Sequence, residues 1–142
     1  MKFFRKKKLA EVDRSLLREP SLSTAQRKAL LTGIQLFNAR KFWEAHEAWE
    51  EVWKGVPDES RIFFQGIIQA AAAYHLLLVK RRYGGMMNNF DKALSKLELF
   101  PGKFLGIDVT RLKRAIAESK GIAERLGSDR LAEFPPNGIP KL

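Results

Sequence analysis

The chain has 142 residues, no cysteine and a formal net charge of +10 at pH 7. This length is typical of one domain, and a helical domain of that size buries an apolar core without disulfides or a structural metal. The absence of cysteine excludes a disulfide framework, a thiolate nucleophile and a cysteine-based zinc site, and it favours a cytoplasmic location. The positive charge is typical of proteins that bind polyanions, although a soluble basic surface has the same composition.

The first predicted element is a basic N-terminal arm over residues 1–20, which includes a possible short helix at about 11–18. Five cations lie within its first eight residues: Lys2, Arg5, Lys6, Lys7 and Lys8. Phe3 and Phe4 could stack on bases while these cations contact phosphates, so the arm is a candidate nucleic-acid interface. A solvated tail or a contact with a membrane surface explains the same residues. Charged residues soon follow and interrupt any apolar stretch, so we do not expect a secretion signal.

Residues 21–127 form the predicted helical domain, which begins with an antiparallel helical hairpin. Ser23 and Gln26 have capping-box spacing, and the first helix runs from Ser23 to a short turn at 38–40. The second helix, at about 41–53, ends before a glycine and a proline and has one apolar stripe: Phe42, Ala45, Trp49 and Val52. The spacing is that of one tetratricopeptide unit, but no second copy follows at a period of about 34 residues, which argues against a repeat array.

The third predicted helix runs from a cap at Asp58 or Ser60 to about residue 82. Its four alanines at 70–73 permit close approach of a neighbouring helix, so we expect it to be central. The longest apolar run, Ile67 to Val79, is shorter than the roughly 20 residues that a bilayer span needs. This run is therefore interpreted as a buried helix.

Two helices and a tail complete the expected fold. Gly84-Gly85 is interpreted as a break, after which the fourth helix covers about 86–99, and Asp108 opens a fifth that ends near residue 125. The Pro-rich tail, 128–142, cannot continue a helix and should lie extended over the body or be disordered. No alternating strand pattern is present. We expect an all-α fold, a compact bundle of about five to six helices in antiparallel hairpins; a homo-oligomer is possible.

The second helix also has a polar edge formed by His46, Glu47 and Glu50. His46 and Glu50 are four residues apart and share a helix face. They could supply two ligands to a divalent metal, or Glu50 could orient His46 for proton transfer; a structural hydrogen bond is the alternative. The zinc-protease pattern His-Glu-x-x-His and the di-iron pattern Glu-x-x-His are both missing. Because the chain has two histidines, a metal site would need carboxylates to complete it.

The third helix adds Arg61, Gln65 and Gln69 at successive i+4 positions. If the second and third helices pack antiparallel, this stripe can face the His46 edge. It would then form either a satisfied internal network or the wall of a small pocket, and buried amides require partners in either case. Three tryptophans at nearby positions are expected to be core residues rather than a ligand wall: Trp43, Trp49 and Trp53.

Two separated motifs resemble one known family. They are Phe37-Asn-x-x-x-Phe42-x-x-Ala45-His46-Glu47-x-x-Glu50-x-x-Trp53 and Phe64-Gln65-Gly66-x-x-Gln69, followed by Ala72-x-x-His75. Their order and spacing are similar to those of the domain of unknown function 309 family, over about residues 29–99. The resemblance implies a compact helical bundle, and some catalogues label such proteins predicted metal-dependent hydrolases. It singles out six motif positions: His46, Glu47, Glu50, Trp53, Gln65 and Gln69.

Three functions are compatible with these patterns, and whether the protein is an enzyme stays open. The first is a small-ligand or partner-binding module with a polar cluster between helices. The second is a metal-dependent hydrolase, in which His46 and Glu50 bind a divalent metal and Glu47 activates a bound water. The third is nucleic-acid binding through the N-terminal arm.

Overall fold

The computed structural model describes residues 17–142 and has the expected all-α architecture. Its five α-helices are α1 (Thr24–Asn38), α2 (Phe42–Trp53), α3 (Asp58–His75), α4 (Tyr83–Leu97) and α5 (Val109–Leu126). A π-helix, Leu76–Lys80, continues α3, and two 3-10 turns follow α5 at Leu131–Glu133 and Pro136–Gly138. Two strands of two residues each, β1 (Lys103–Phe104) and β2 (Ile107–Asp108), form an antiparallel pair before α5.

The α1–α2 hairpin is antiparallel, as predicted from its short turn. Ser23 caps α1, and Gln26 completes the capping box: the Gln26 N–H donates to Ser23 Oγ at 3.1 Å and the Ser23 N–H donates to Gln26 Oε1 at 2.9 Å. In the middle of the pair, Trp49 Nε1 donates to the Leu30 carbonyl at 3.2 Å. Gly33 lies under the same indole, so a Cβ there would lie 2.5 Å from Trp49 Cδ1. This glycine therefore sets how closely α1 and α2 approach.

Each later helix also runs antiparallel to the one before it. Ring contacts join the N-terminal end of α2 to the C-terminal end of α3, where Phe42 and Tyr74 stack with centroids 5.6 Å apart. Helix α3 also packs on α4, because a Cβ at Gly66 would lie 3.0 Å from Leu97. The pair α4–α5 is joined by an ion pair of 2.6 Å between Asp91 Oδ1 and Lys120 Nζ. Helix α3 is thus central, as the alanine run predicts.

Tyr74 lies at the centre of the aromatic core. Its ring contacts Phe37 and Phe90 edge to face, with centroids 5.9 and 5.1 Å away. Its hydroxyl shares a 2.8 Å hydrogen bond with Ser119 Oγ of α5, and both residues are buried. Burial raises the pKa of the Tyr74 phenol well above its ordinary value. This neutral pair ties the central helix to the last one.

The helix boundaries differ from the expected ones at two places. The residue that caps α3 is Pro57, without a side-chain hydrogen bond, so the prediction of a cap at Asp58 or Ser60 is wrong. The break before α4 is at Arg81, which adopts a left-handed backbone conformation with φ of 53°. Gly84-Gly85 lies inside the first turn of α4 instead. The π-helical turn already ends the long helix, so the glycines are not needed to break it.

The chain after α5 folds back over the α1–α2 turn. Its prolines do end the helical structure, but short 3-10 turns form and Phe134 is buried. The side chain of Asn38 pairs with the backbone of Leu142: Asn38 Oδ1 accepts from the Leu142 N–H at 2.8 Å and Asn38 Nδ2 donates to its carbonyl at 3.2 Å. A guanidinium N–H of Arg40 donates to the Pro136 carbonyl at 2.8 Å. The tail is therefore packed on the body, as one of the two expected alternatives stated.

Replacing Asn38 by alanine should release this tail from the body. The change removes two hydrogen bonds to Leu142 and should lower the free energy of unfolding by about 1 kcal/mol. Hydrogen exchange of the amides in residues 128–142 should accelerate while that of α3 stays the same. Asn88→Ala, at an exposed position of α4, is the control: it should leave the exchange of the tail unchanged, and the better helix propensity of alanine should raise rather than lower the free energy of unfolding. Unchanged exchange of the tail in Asn38→Ala would contradict this prediction.

One helix of the described part, Glu59–Lys80, is long and apolar enough to span a membrane by length and composition. It is longer than the apolar run Ile67 to Val79 mainly because it also includes residues 59–66. More than half of its most apolar window is buried inside the bundle, which is consistent with the core helix of a soluble protein. A cytoplasmic location stays a prediction, as do the domain boundaries at residues 20 and 127.

Candidate functional site

A groove of about 310 Å³ lies between α2, α3 and α4. Helix α2 contributes three of its lining residues, and α3 and α4 contribute most of the others. The full lining is His46, Glu50, Trp53, Lys54, Gln65, Ile68, Gln69, Ala72 and Asn89. We call this concavity the polar groove. It contains five of the seven residues that the sequence assigned to a ligand or polar cluster.

His46 and Glu50 form one wall of the polar groove. His46 Nε2 and Glu50 Oε1 are 3.1 Å apart, and their side chains are 16% and 44% exposed. His46 Nδ1 is buried and has no hydrogen-bond partner in the described part of the chain. The Trp43 ring stacks on the imidazole with centroids 4.6 Å apart and an interplanar angle of 14°. The His46 ring is therefore held by the indole on one side and by the carboxylate on its edge.

The two glutamines of α3 have different roles in the groove. Gln69 Oε1 accepts a hydrogen bond of 2.8 Å from Lys96 Nζ of α4. The Gln65 side chain, one turn earlier and half-buried, makes no hydrogen bond within residues 17–142. Asn89, on the α4 side, donates from Nδ2 to the Gly85 carbonyl at 2.8 Å. An amide such as Gln65 can donate and accept, so it offers both groups to a molecule in the groove.

Arg61 contacts two residues that line the polar groove, Trp53 and Lys54. Its guanidinium carbon is 5.6 Å from the centroid of the Trp53 ring. Its Nε donates to the Val56 carbonyl at 2.9 Å, and a terminal N–H donates to the Lys54 carbonyl at 3.4 Å. The two hydrogen bonds hold the α2–α3 turn in place, and the guanidinium covers the Trp53 ring. Arg61 therefore supports the wall of the groove without lining it.

Other sequence-predicted positions lie outside the polar groove. Glu47 is exposed and does not line the groove. Of the three tryptophans expected in the core, Trp49 is buried and Trp53 is half-buried, whereas Trp43 is 46% exposed, so the core prediction is wrong for Trp43. The Trp43 indole is exposed because it lies on the face of α2 that points to solvent. The five arm cations fall outside the described residues: Lys2, Arg5, Lys6, Lys7 and Lys8.

The donor set for a metal is limited to two residues. His46 and Glu50 are adjacent, but no group of three histidine, aspartate or glutamate residues lies together among the side chains that the structure describes. Structural and catalytic zinc sites take at least three protein ligands. The described residues therefore do not fit a closed metal site, and a divalent metal on His46 and Glu50 stays a prediction that elemental analysis of the purified protein tests.

His75, the second histidine, also contacts the Trp43 ring, with ring centroids 5.3 Å apart. Its pKa is lowered from its ordinary value of 6.5, first by burial, then by Lys80 and His46 against the opposing effect of Glu44. A proton titration by NMR should therefore give a midpoint below 6.5. Lys80→Gln should raise that midpoint, whereas Lys113→Gln on α5 should leave it unchanged. A midpoint at or above 6.5 would contradict this prediction.

The lowered pKa of His75 also makes the stability of the fold depend on pH. Because the unfolded chain binds the proton more tightly than the folded one, His75 lowers the free energy of unfolding as the pH falls. The loss begins near the ordinary value of 6.5 and is complete once the pH is below the lowered pKa. His75→Gln should make the stability of the protein less dependent on pH in this window.

The sequence missed several residues of the polar groove. Ile68 and Ala72 share a helix face with Gln65 and Gln69, so the i+3 and i+4 spacing along α3 contained the signal. Asn89, and Lys96 with its bond to Gln69, belong to α4. Only the packing of α4 against α3 identifies them. The α2–α3 motifs alone do not describe the whole site.

The fold and the groove define a small all-helical protein with a polar concavity between antiparallel helices. Residues 30–88 match the model of the family described as domain of unknown function (DUF309), which confirms the resemblance that the two motifs indicate. The matched segment covers most of α1, all of α2 and α3, and the start of α4. No curated protein matches the chain.

Proposed function

We propose that this protein is a binding module whose polar groove holds a small, planar, polar ligand. The observation that carries the proposal is the Gln65 amide, which lines the groove and makes no hydrogen bond within the described chain. If the groove held only a closed structural network, the N–H and carbonyl groups of the Gln65 amide would be hydrogen-bonded to other protein groups. Ligand sites are concave and combine apolar walls with a few convergent polar groups, and the polar groove has this composition.

The chemistry of the lining indicates the class of ligand. Trp53 and Ile68 supply apolar surface, and an indole is a good wall for a flat ring. The amides of Gln65 and Gln69 lie one helical turn apart and point their polar groups to one face of α3. Gln69 uses its oxygen for Lys96, so its Nε2 donors stay available. A heteroaromatic or carboxamide ring with a carbonyl next to an N–H matches this arrangement.

A ligand-observed NMR screen with nicotinamide, uracil and 2-pyridone tests the proposal. We expect at least one probe to bind, and we expect Gln65→Ala to weaken its binding about 2- to 10-fold, the effect of one lost hydrogen bond. Gln35→Ala, on the exposed face of α1, is the matched control and should bind the probe like the unaltered protein. Equal affinity of both variants, or no binding by any probe, would count against the polar groove as a ligand site.

A further inference from the structure

A second groove, of about 570 Å³, opens beside Trp43. Its lining comes from α2, from the end of α3 and from the π-helix and the residues after it: Trp43, Glu44, His75, Leu76, Val79, Lys80 and Arg82. We propose that this groove binds single-stranded nucleic acid, with a base stacked on Trp43 and phosphates on Lys80 and Arg82. No lining residue is shared with the polar groove, so the inference does not depend on the function proposed above.

Trp43 has the properties of a stacking platform. It is 46% exposed, although a tryptophan on a bundle helix is usually buried. Two imidazoles hold its ring: His46 stacks at 4.6 Å, and His75 lies at 5.3 Å with a tilt of 41°. Val79 is 59% exposed and extends the apolar surface. A base that stacks on the exposed part of the Trp43 ring meets an indole whose position is already fixed by the two imidazoles, so little entropy is lost when it binds.

The cations next to Trp43 are available for phosphates. Lys80, Arg81 and Arg82 are exposed, and none of them makes an ion pair within residues 17–142. The π-helix ends here, and Arg81 reverses the chain with φ of 53°, so consecutive cations spread over the rim of the groove. Glu44 is the carboxylate of the lining, and it interacts with His75. The phosphate backbone of a bound single-stranded nucleic acid therefore runs along the side of the groove that carries Lys80 and Arg82.

Charge and shape together favour a nucleic-acid strand over an acidic peptide. An acidic peptide needs the cations but makes little use of an exposed, fixed indole face. A single strand uses both, because every base has a flat aromatic face and every nucleotide carries a phosphate. The net charge of +10 supports long-range attraction of such a polyanion.

Fluorescence anisotropy with labelled 12-nucleotide oligo(dT) and oligo(U), measured on the full chain, tests the inference. Trp43→Ala should weaken binding about fivefold or more, since one stacked base is lost. Trp43→Phe keeps an aromatic face and should restore most of the affinity. Leu31→Ala is the control, because Leu31 is another exposed apolar residue, on α1, and it should have no effect. Circular dichroism establishes that each variant is folded.

The salt dependence of oligonucleotide binding tests whether Lys80 and Arg82 contact the phosphates. The double variant Lys80→Ser/Arg82→Ser should reduce the slope of log K against log salt by about 1.4, because each phosphate contact on a single strand contributes about 0.7. Arg27→Ser/Lys28→Ser removes the same charge from α1 and should keep the slope nearly unchanged. Serine at the five cationic positions within residues 1–8 should preserve the effect of Trp43→Ala.

Several results would overturn the inference. One is binding that depends on the arm cations but not on Trp43. Another is equal binding of an abasic strand of the same length, which would remove the role of the base. A third is binding of oligoglutamate with the same affinity and the same sensitivity to Trp43→Ala, which would assign the groove to acidic peptides. Absence of any binding at low salt would also contradict it.

Discussion

Replacing Gly33 by alanine should lower the free energy of unfolding by about 2 to 3 kcal/mol. The added Cβ would lie 2.5 Å from Cδ1 and 2.6 Å from Cε2 of Trp49, well inside van der Waals contact. The indole cannot move easily, because it is fully buried and its Nε1 donates to the Leu30 carbonyl. Helix α1 must therefore shift away from α2, which breaks that hydrogen bond and opens the core. The better helix propensity of alanine, about 1 kcal/mol, offsets part of the loss.

Gly121→Ala is the matched control for this prediction. Gly121 is also a helical glycine, in α5, but the nearest atom to its added Cβ is an Arg125 guanidinium nitrogen at 3.7 Å. The substitution should therefore stabilise the protein by up to about 1 kcal/mol through helix propensity alone. Denaturant unfolding of both variants gives the comparison. If Gly33→Ala and Gly121→Ala have the same effect, the close contact between α1 and α2 is not the cause.

Replacing Tyr74 by phenylalanine should lower the free energy of unfolding by about 2 kcal/mol. The phenol and the Ser119 hydroxyl are both buried and share one hydrogen bond of 2.8 Å. Removing the phenol oxygen leaves Ser119 without this partner inside the aromatic core. The cost is mainly that of a buried polar group left unsatisfied, because the ring itself keeps its contacts with Phe37 and Phe90.

A double-mutant cycle separates the hydrogen bond from packing. Ser119→Ala should cost about as much as Tyr74→Phe, since it leaves the phenol unsatisfied instead. The double variant should lose less than either single variant, because no polar group is then left without a partner. Chemical denaturation of the four proteins gives the coupling free energy. Strictly additive losses would show that the two hydroxyls do not stabilise the fold through each other.

Local signals were enough to predict the helices of this fold. The capping box at Ser23, the cap at Asp108 and the apolar stripe of α2 all lie where the sequence placed them, because caps and helical periodicity depend on neighbouring residues. The π-helix was not predictable in this way. Its backbone hydrogen bonds depend on how the end of α3 packs, and Gly84-Gly85 gave a stronger local signal for a break one turn later.

The candidate site was predictable on α2 and α3 but not beyond them. The i+4 spacing placed His46 with Glu50 and Gln65 with Gln69, and antiparallel packing brought both pairs to one groove. Periodicity could not predict that Trp43 stays exposed, since a tryptophan at helical spacing usually faces the core. Nor could periodicity predict the hydrogen bond between Lys96 and Gln69, because the two residues are 27 positions apart in the chain.

The most direct test of the polar groove is protein-observed NMR of its side-chain amides. Titration with whichever of nicotinamide, uracil or 2-pyridone binds should shift the NH₂ resonances of Gln65 and Gln69 together, with one shared dissociation constant. The amide of Gln35, outside the groove, should stay at its position. Saturable shifts confined to residues elsewhere in the bundle, with Gln65 and Gln69 unchanged, would contradict the assignment of the polar groove as the ligand site.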